Sequence, residues 1–344
     1  MRMASVRAVL GSVSISILLL LSVSLLSGCA APAGHLGDSE IITESAEPDG
    51  KAGKSGVAGL PAAGASAAAG QGTQPVQPVP PPPKVLPRIG LALGGGAARG
   101  FAHVGVIQVL EEAGIRPDLV TGTSAGSVVA SFYASGKNGA QLQHIAESMD
   151  ELAMADWTLP IFSRGVLRGD ALTRYVSDIV SGKTIEQMRM PLGIVATDLQ
   201  TGGETLFQRG DTATAVRASS AVPAVFQPVK IAGRDYVDGG LVSPVPVGAA
   251  RRMGAELIIA VDISTPPDSN ASGGTLEILL QTFAIMGKSI NNYGLREADI
   301  VIRPDLSGIS SANFGARKKS IEAGRQAMLL ALPKLRALIA AKSH

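Results

Sequence analysis

The chain has 344 residues, 17% charged and 3% aromatic, with a formal net charge of +2. That charge comes from Arg2 and Arg7; the remainder balances at zero, which argues against a nucleic-acid binder held by a basic surface. Scarce aromatic residues disfavour a base-stacking platform, and a single cysteine excludes an intramolecular disulfide framework or a multi-cysteine zinc site.

Residues 1–28 carry two arginines and no acid, then an apolar stretch densest at Ile15–Leu21. The stretch ends in Leu26-Ser27-Gly28-Cys29. Basic, then greasy, then small is the layout of a secretory signal. The last four residues resemble the bacterial lipobox. In that resemblance Cys29 is lipidated and becomes the first mature residue, and several acyl chains hold a membrane far better than one. The implied location is the bacterial cell envelope, at the outer membrane where the organism has one.

Residues 29–87 read as a disordered Pro/Ala/Gly-rich tether. Ten of the 21 prolines lie in it, including the run Pro80–Pro83, and no aromatic residue is present to seed a core. As a coil it would span roughly 40–45 Å.

The rest alternates strand-like and helix-like segments. The apolar run 88–93 ends in Gly94-Gly95-Gly96-Ala97-Ala98-Arg99-Gly100, and Phe101, Val104, Ile107 and Leu110 then follow at helical spacing. A strand is expected at 119–121 and a helix at 125–133. Between them stands Gly122-Thr123-Ser124-Ala125-Gly126, which fits the Gly-x-Ser-x-Gly nucleophile elbow. Strands at 192–196, 257–261 and 300–302 and helices at 171–180, 245–253, 276–293 and 316–341 complete the pattern. Such alternation predicts an α/β fold, a mostly parallel sheet covered on both faces.

Consecutive glycines let several backbone N–H groups face one anion. The loop at 94–100 therefore suits an oxyanion hole, or a nucleotide phosphate. A dinucleotide fingerprint is poorly matched, because its sixth position is Arg99 and Asp118 precedes its strand. Asp238-Gly239-Gly240 follows the apolar Val237; alone it reads as a turn. The histidines sit badly for a Ser-His-Asp triad. His35 is in the tether, His344 is the last residue and expected to fray, His144 belongs to a polar stretch, and His103 follows the glycine loop. A carboxylate is therefore better placed than a histidine to serve a nucleophilic Ser124 as base, with His103 the competitor.

Together, the loop, the elbow and the Asp-Gly-Gly motif resemble the patatin-like phospholipase family, its bacterial branch in particular. Ala218-Ser219-Ser220-Ala221-Val222-Pro223 and Pro244-Val245-Pro246 add to the likeness. The resemblance implies a three-layer α/β fold with a catalytic domain over 88–265 and a mainly helical part, 266–344, packed on it. It implies a Ser124–Asp238 dyad without histidine, an oxyanion hole around Gly95, Gly96, Ala97 and the basic Arg99, and no metal or organic cofactor. Membrane lipids or other acyl esters would be the substrate, with no nucleic-acid partner. Ala97 departs from the plant pattern, which has a third glycine; its N–H survives as a donor if φ stays negative. Asp198 receives no catalytic role and reads as a solvated or capping residue. The competing readings are a binding lipoprotein with a vestigial site and a nucleotide-binding enzyme that uses the glycine loop.

Overall fold

The computed structural model describes residues 85–149, 167–267 and 274–344. The leader, Cys29 and the tether up to residue 84 lie outside the described residues.

Among the described residues eight strands, numbered in chain order, form one sheet in the order β5-β6-β3-β2-β1-β7-β8, with β4 paired to β3. They are β1 (Ile89–Leu93), β2 (Leu119–Thr123), β3 (Leu192–Asp198), β4 (Glu204–Phe207), β5 (Val229–Ile231), β6 (Arg234–Asp238), β7 (Leu257–Val261) and β8 (Ile300–Ile302). The pairs β3-β2, β2-β1, β1-β7 and β7-β8 are parallel, while β4, β5 and β6 join antiparallel. Parallel strands need coverage on both faces, and the central ones have it. Leu91 and Leu93 of β1 and Leu257, Ile259 and Val261 of β7 pack into one apolar cluster. Ala92, Ile258 and Ala260 point into a second, on the opposite face. This two-sided burial is why both strands read as unbroken apolar runs.

The helices are α1 (Ala102–Glu112), α2 (Ala125–Ala134), α3 (Gly139–Ser148), α4 (Asp170–Val180), α5 (Thr212–Ser219), α6 (Val247–Arg252), α7 (Thr275–Gly294) and α8 (Arg317–Lys342). Helices α1 to α4 and α8 supply the larger cluster, through side chains such as Ile107, Val128, Leu142, Val176 and Met328. Val247 and Ala250 of α6 supply the smaller one. Asn138 starts α3 with a capping box, its side chain accepting from the Gln141 N–H at 2.9 Å. Asp211 caps α5 by accepting from the Thr214 N–H at 2.7 Å. Among the described residues no helix is long and apolar enough to cross a membrane.

The expected strands and helices are present, most bounds shifting by one or two residues. Short antiparallel strands β4, β5 and β6 and helix α5 were not expected, and α3 only as the polar stretch around His144. His344 is not frayed at the backbone: Val85 donates to its carbonyl at 2.7 Å and accepts its N–H at 3.2 Å. β8 extends the sheet beyond β7, so the C-terminal segment contributes to the same sheet as the motifs.

Candidate active site

The glycine loop leaves the C-terminal end of β1, and the elbow leaves that of its parallel neighbour β2. Crevices outside the carboxyl ends of parallel strands are where open α/β sheets bind ligands. Asp238 ends β6 and pairs with Ala196 in β3, which brings a third motif to the same place.

Ser124 sits at φ 52°, ψ −124°, a conformation that L-residues rarely adopt. Its neighbours explain how the turn closes. A Cβ on Gly122 would lie 2.5 Å from the Gly126 carbonyl oxygen and the Ser127 Cα. A Cβ on Gly126 would overlap the Leu93 carbonyl. Both elbow glycines are thus required by close backbone approach. The Ser219 hydroxyl completes the brace, accepting the Ser124 N–H at 2.9 Å and donating to the Val195 carbonyl at 2.6 Å. Ser219 was not singled out from sequence as a site residue. Only its place in the quoted Ala218–Pro223 stretch hinted at it.

Ser124 and Asp238 line the same cleft, and the Ser124 hydroxyl is near enough to act on the Asp238 carboxyl and lower its pKa. Asp238 is buried, 6% exposed, and burial pushes its pKa up to about 6. The bond from the Gly240 N–H, at 2.7 Å, and the nearby Ser124 hydroxyl oppose the rise without cancelling it. The Asp238 backbone is pinned by its N–H to the Ala221 carbonyl at 2.9 Å and by the Thr197 hydroxyl at 2.8 Å on its own carbonyl.

The expected oxyanion set needs two corrections. The Gly95 N–H donates to the Pro244 carbonyl at 2.9 Å, and the Arg99 N–H to the Gly96 carbonyl at 3.1 Å. Neither is free for a ligand. The Arg99 side chain is 5% exposed and lines neither cavity at Ser124. Among the described residues, the Gly96 and Ala97 N–H groups have no backbone partner, and both residues line the cleft with Ser124. Ala97 does so at φ 49°, in the left-handed region, against the expected negative value. Glycine avoids the Cβ clash of that region. Ala97→Gly should therefore stabilise the protein by up to about 1 kcal/mol in urea unfolding and leave the donor in place. A lower midpoint would show that the Ala97 methyl group contributes more by packing than it costs.

Two cavities meet at Ser124. One, of about 650 Å³, is walled by Leu172, Val222, Val225, Phe226 and Leu280. The other is a broader cleft of about 1020 Å³ that holds Asp238, Gly96, Ser264, Thr265 and Lys288. The buried Arg217 supports the apolar wall, donating to the Arg168 and Gln227 carbonyls and stacking 5.3 Å from the Phe226 ring.

The remaining candidates are structural. His103 is fully buried, and its Nε2 lies 2.8 Å from the Gly94 carbonyl oxygen. Burial lowers its pKa to about 4, so it is neutral at ordinary pH. His144 faces solvent on α3. Asp198 is buried rather than solvated, and it caps a turn by accepting the Gln200 and Thr201 N–H groups at 3.0 Å each. Asp118 accepts the Ile89 N–H at 2.6 Å, at the far end of β1 from the glycine loop. It is therefore misplaced for a ribose.

Residues 91–251 match the family model described as patatin-like phospholipase. An uncharacterised NTE family protein of Mycobacterium tuberculosis is 40% identical over 179 residues, which are 52% of this chain and 49% of that protein. Patatin-like phospholipase domain-containing protein 6 of the mouse is 32% identical over 231 residues, covering 65% of this chain and 16% of that one. The chain thus spans about half the length, or less, of these relatives. The crystal structure of VipD from Legionella pneumophila superposes with a TM-score of 0.51 at 16% identity, covering 72% of this chain and 67% of that one; it shares the fold. With the loop, the elbow and the Asp-Gly-Gly turn gathered at the carboxyl ends of the central strands, residues 91–251 form a domain of the patatin-like phospholipase family.

Proposed function

We propose that the protein is a lipid acyl hydrolase that cleaves carboxylic esters through an acyl-Ser124 intermediate, with Asp238 as the base. The observation that carries this reading is the strained Ser124 in one cleft with the buried Asp238 carboxyl, beside Gly96 and Ala97 N–H groups that have no backbone partner among the described residues. Ser124 Oγ attacks the ester carbonyl carbon as its proton passes to Asp238. The oxyanion is received by the Gly96 and Ala97 N–H groups. The tetrahedral intermediate collapses, and Asp238 returns the proton to the leaving alkoxide. Water then attacks the acyl-serine by the same route and releases the acid. With a pKa of about 6, Asp238 is ionised at neutral pH, yet far more basic than an ordinary carboxylate. The apolar cavity accommodates an acyl chain, and the broader cleft takes the leaving portion.

Ser124→Ala tests the reading. Hydrolysis of p-nitrophenyl esters should fall by a factor of about 10³ or more, with the circular dichroism spectrum unchanged. A fluorophosphonate probe should label the native chain alone. Retention of most of the activity would remove Ser124 from the nucleophile role.

The proposal extends to place. Cys29, outside the described residues, is read as a lipidated anchor that holds the hydrolase at a bacterial envelope membrane through the proline-rich tether. Cys29→Ala should move the protein from the membrane to the soluble fraction and abolish palmitate incorporation. Unchanged fractionation without palmitate would overturn the anchor.

A further inference from the structure

Helix α7 has a face that the catalytic reading leaves unexplained. Only Asn291 of its 20 residues is buried. One side lines the cleft at Ser124 with Leu280, Phe283, Ala284, Gly287 and Lys288. The opposite side exposes Ile278 at 56%, Ile285 at 53%, Met286 at 47% and Tyr293 at 70%. Their spacing puts them in one stripe with the exposed Thr282 and Ser289. That stripe holds no Lys, Arg, Asp or Glu, although the outward face of a helix on a water-soluble body is normally charged. Lys288 stands at the edge, between stripe and cleft, and makes no ion pair among the described residues. Tyr293 ends the stripe with the Arg296 guanidinium 5.3 Å from its ring centre.

We infer that α7 is the element by which the protein docks on an anionic lipid surface. The inference rests on the hydrolase reading above, because the helix that docks is also a wall of the cleft at Ser124. Three features favour lipid over a protein partner. The stripe is small: three half-exposed aliphatic side chains offer on the order of 300 Å², against about 800 Å² per partner in a stable complex. Lys288 beside the strip and Tyr293 at its end carry apolar bodies with polar tips, the side chains that sit at a lipid–water boundary. The unpaired Lys288 complements the phosphates of anionic headgroups. Insertion of Ile278, Ile285 and Met286 would place Lys288 at headgroup level beside the cleft.

The test uses the full-length chain carrying Cys29→Ala, so that no lipid anchor masks docking. Co-sedimentation is measured with vesicles of equal parts phosphatidylcholine and phosphatidylglycerol, and with phosphatidylcholine alone. Ile285→Ser with Met286→Ser should weaken binding to the mixed vesicles by about tenfold or more. Lys288→Glu should remove the preference for phosphatidylglycerol. Hydrolysis of soluble p-nitrophenyl butyrate by the double serine variant should stay within about twofold of the parent, while release of fatty acid from the vesicles falls with binding. Loss of ester hydrolysis in the parent chain would defeat the hydrolase reading but leave the binding comparison readable. Equal vesicle binding by parent and double variant overturns the docking surface. So does a parent dimer that the double variant dissociates while vesicle binding is unaffected, which would assign the stripe to a second copy.

Discussion

Asp238→Asn is expected to lower kcat by 10²–10⁴-fold, the usual worth of a general base, while making the folded protein more stable at neutral pH. Both effects come from the same burial. The unfolded chain releases this proton near 3.8, whereas the folded chain holds it until about 6. Protonated Asp238 therefore favours the fold, and the stability it contributes is lost as pH rises from about 4 through 6. At pH 7 the ionised carboxylate costs on the order of 3 kcal/mol. Asparagine keeps an oxygen for the Gly240 N–H and carries no charge. Its melting temperature should exceed that of the native protein at pH 8, and the two should converge near pH 4. The native activity should rise through a limb near pH 6 and then level off. As a comparison, His103→Gln with His144→Gln should keep kcat within about tenfold, equivalent to 1.4 kcal/mol of barrier. A dead histidine double variant beside an active Asp238→Asn would overturn the dyad. An Asn variant less stable at pH 8 would show that the carboxylate is better solvated than its surroundings imply.

What could be read in the sequence divides along physical lines. β1 and β7 were legible because strands buried on both faces must be apolar throughout, whatever surrounds them. The elbow was legible because its tight turn needs small residues on both sides of the serine: Gly122 meets backbone of the same turn, and Gly126 meets the Leu93 carbonyl of the neighbouring strand β1. β4 to β6 were not. They are short, Glu204 and Arg234 face solvent, and the sheet that recruits them is assembled by β3. The stretch Thr212–Ser219 is only 8 residues long and mixes Thr and Ser with Ala, and its start is set by the Asp211 cap. The oxyanion donors show the same limit. Glycines at 94–96 announce free N–H groups, but which stay free is decided by the Pro244 carbonyl, far along the chain. Ala97 adopts a positive φ because the loop geometry overrides its preference. The His103 environment, too, follows from burial that no local pattern discloses.

The second large effect is expected at the crossing of α1 and α8. A Cβ on Gly105 would overlap the Ile321 carbonyl and lie 2.7 Å from the Arg325 N. A Cβ on Gly324 would overlap the Ala102 carbonyl and lie 3.1 Å from the Ala102 Cα. The two helix backbones are in direct contact, and neither has a side chain that can rotate away. This contact seats Ile321, Met328 and Leu335 in the larger cluster, all nearly or fully buried. It also reaches the catalytic loop. α1 begins just after that loop, the Ala98 N–H is held by the Ser311 carbonyl at 3.0 Å, and Phe101 meets Phe314 edge-on at 6.2 Å. Gly105→Ala and Gly324→Ala should each destabilise by about 2–4 kcal/mol in urea unfolding, because overpacking moves two helices apart. The double variant should cost far less than the sum, since the first methyl group opens the gap that the second would need. Both single variants should also lose kcat while still folded, because the loop carrying the Gly96 and Ala97 N–H groups moves with α1. Strict additivity would mean that the two glycines act at separate contacts. Single-variant losses under about 0.5 kcal/mol, the range of ordinary surface substitutions, would mean that the helices are not in contact at this crossing.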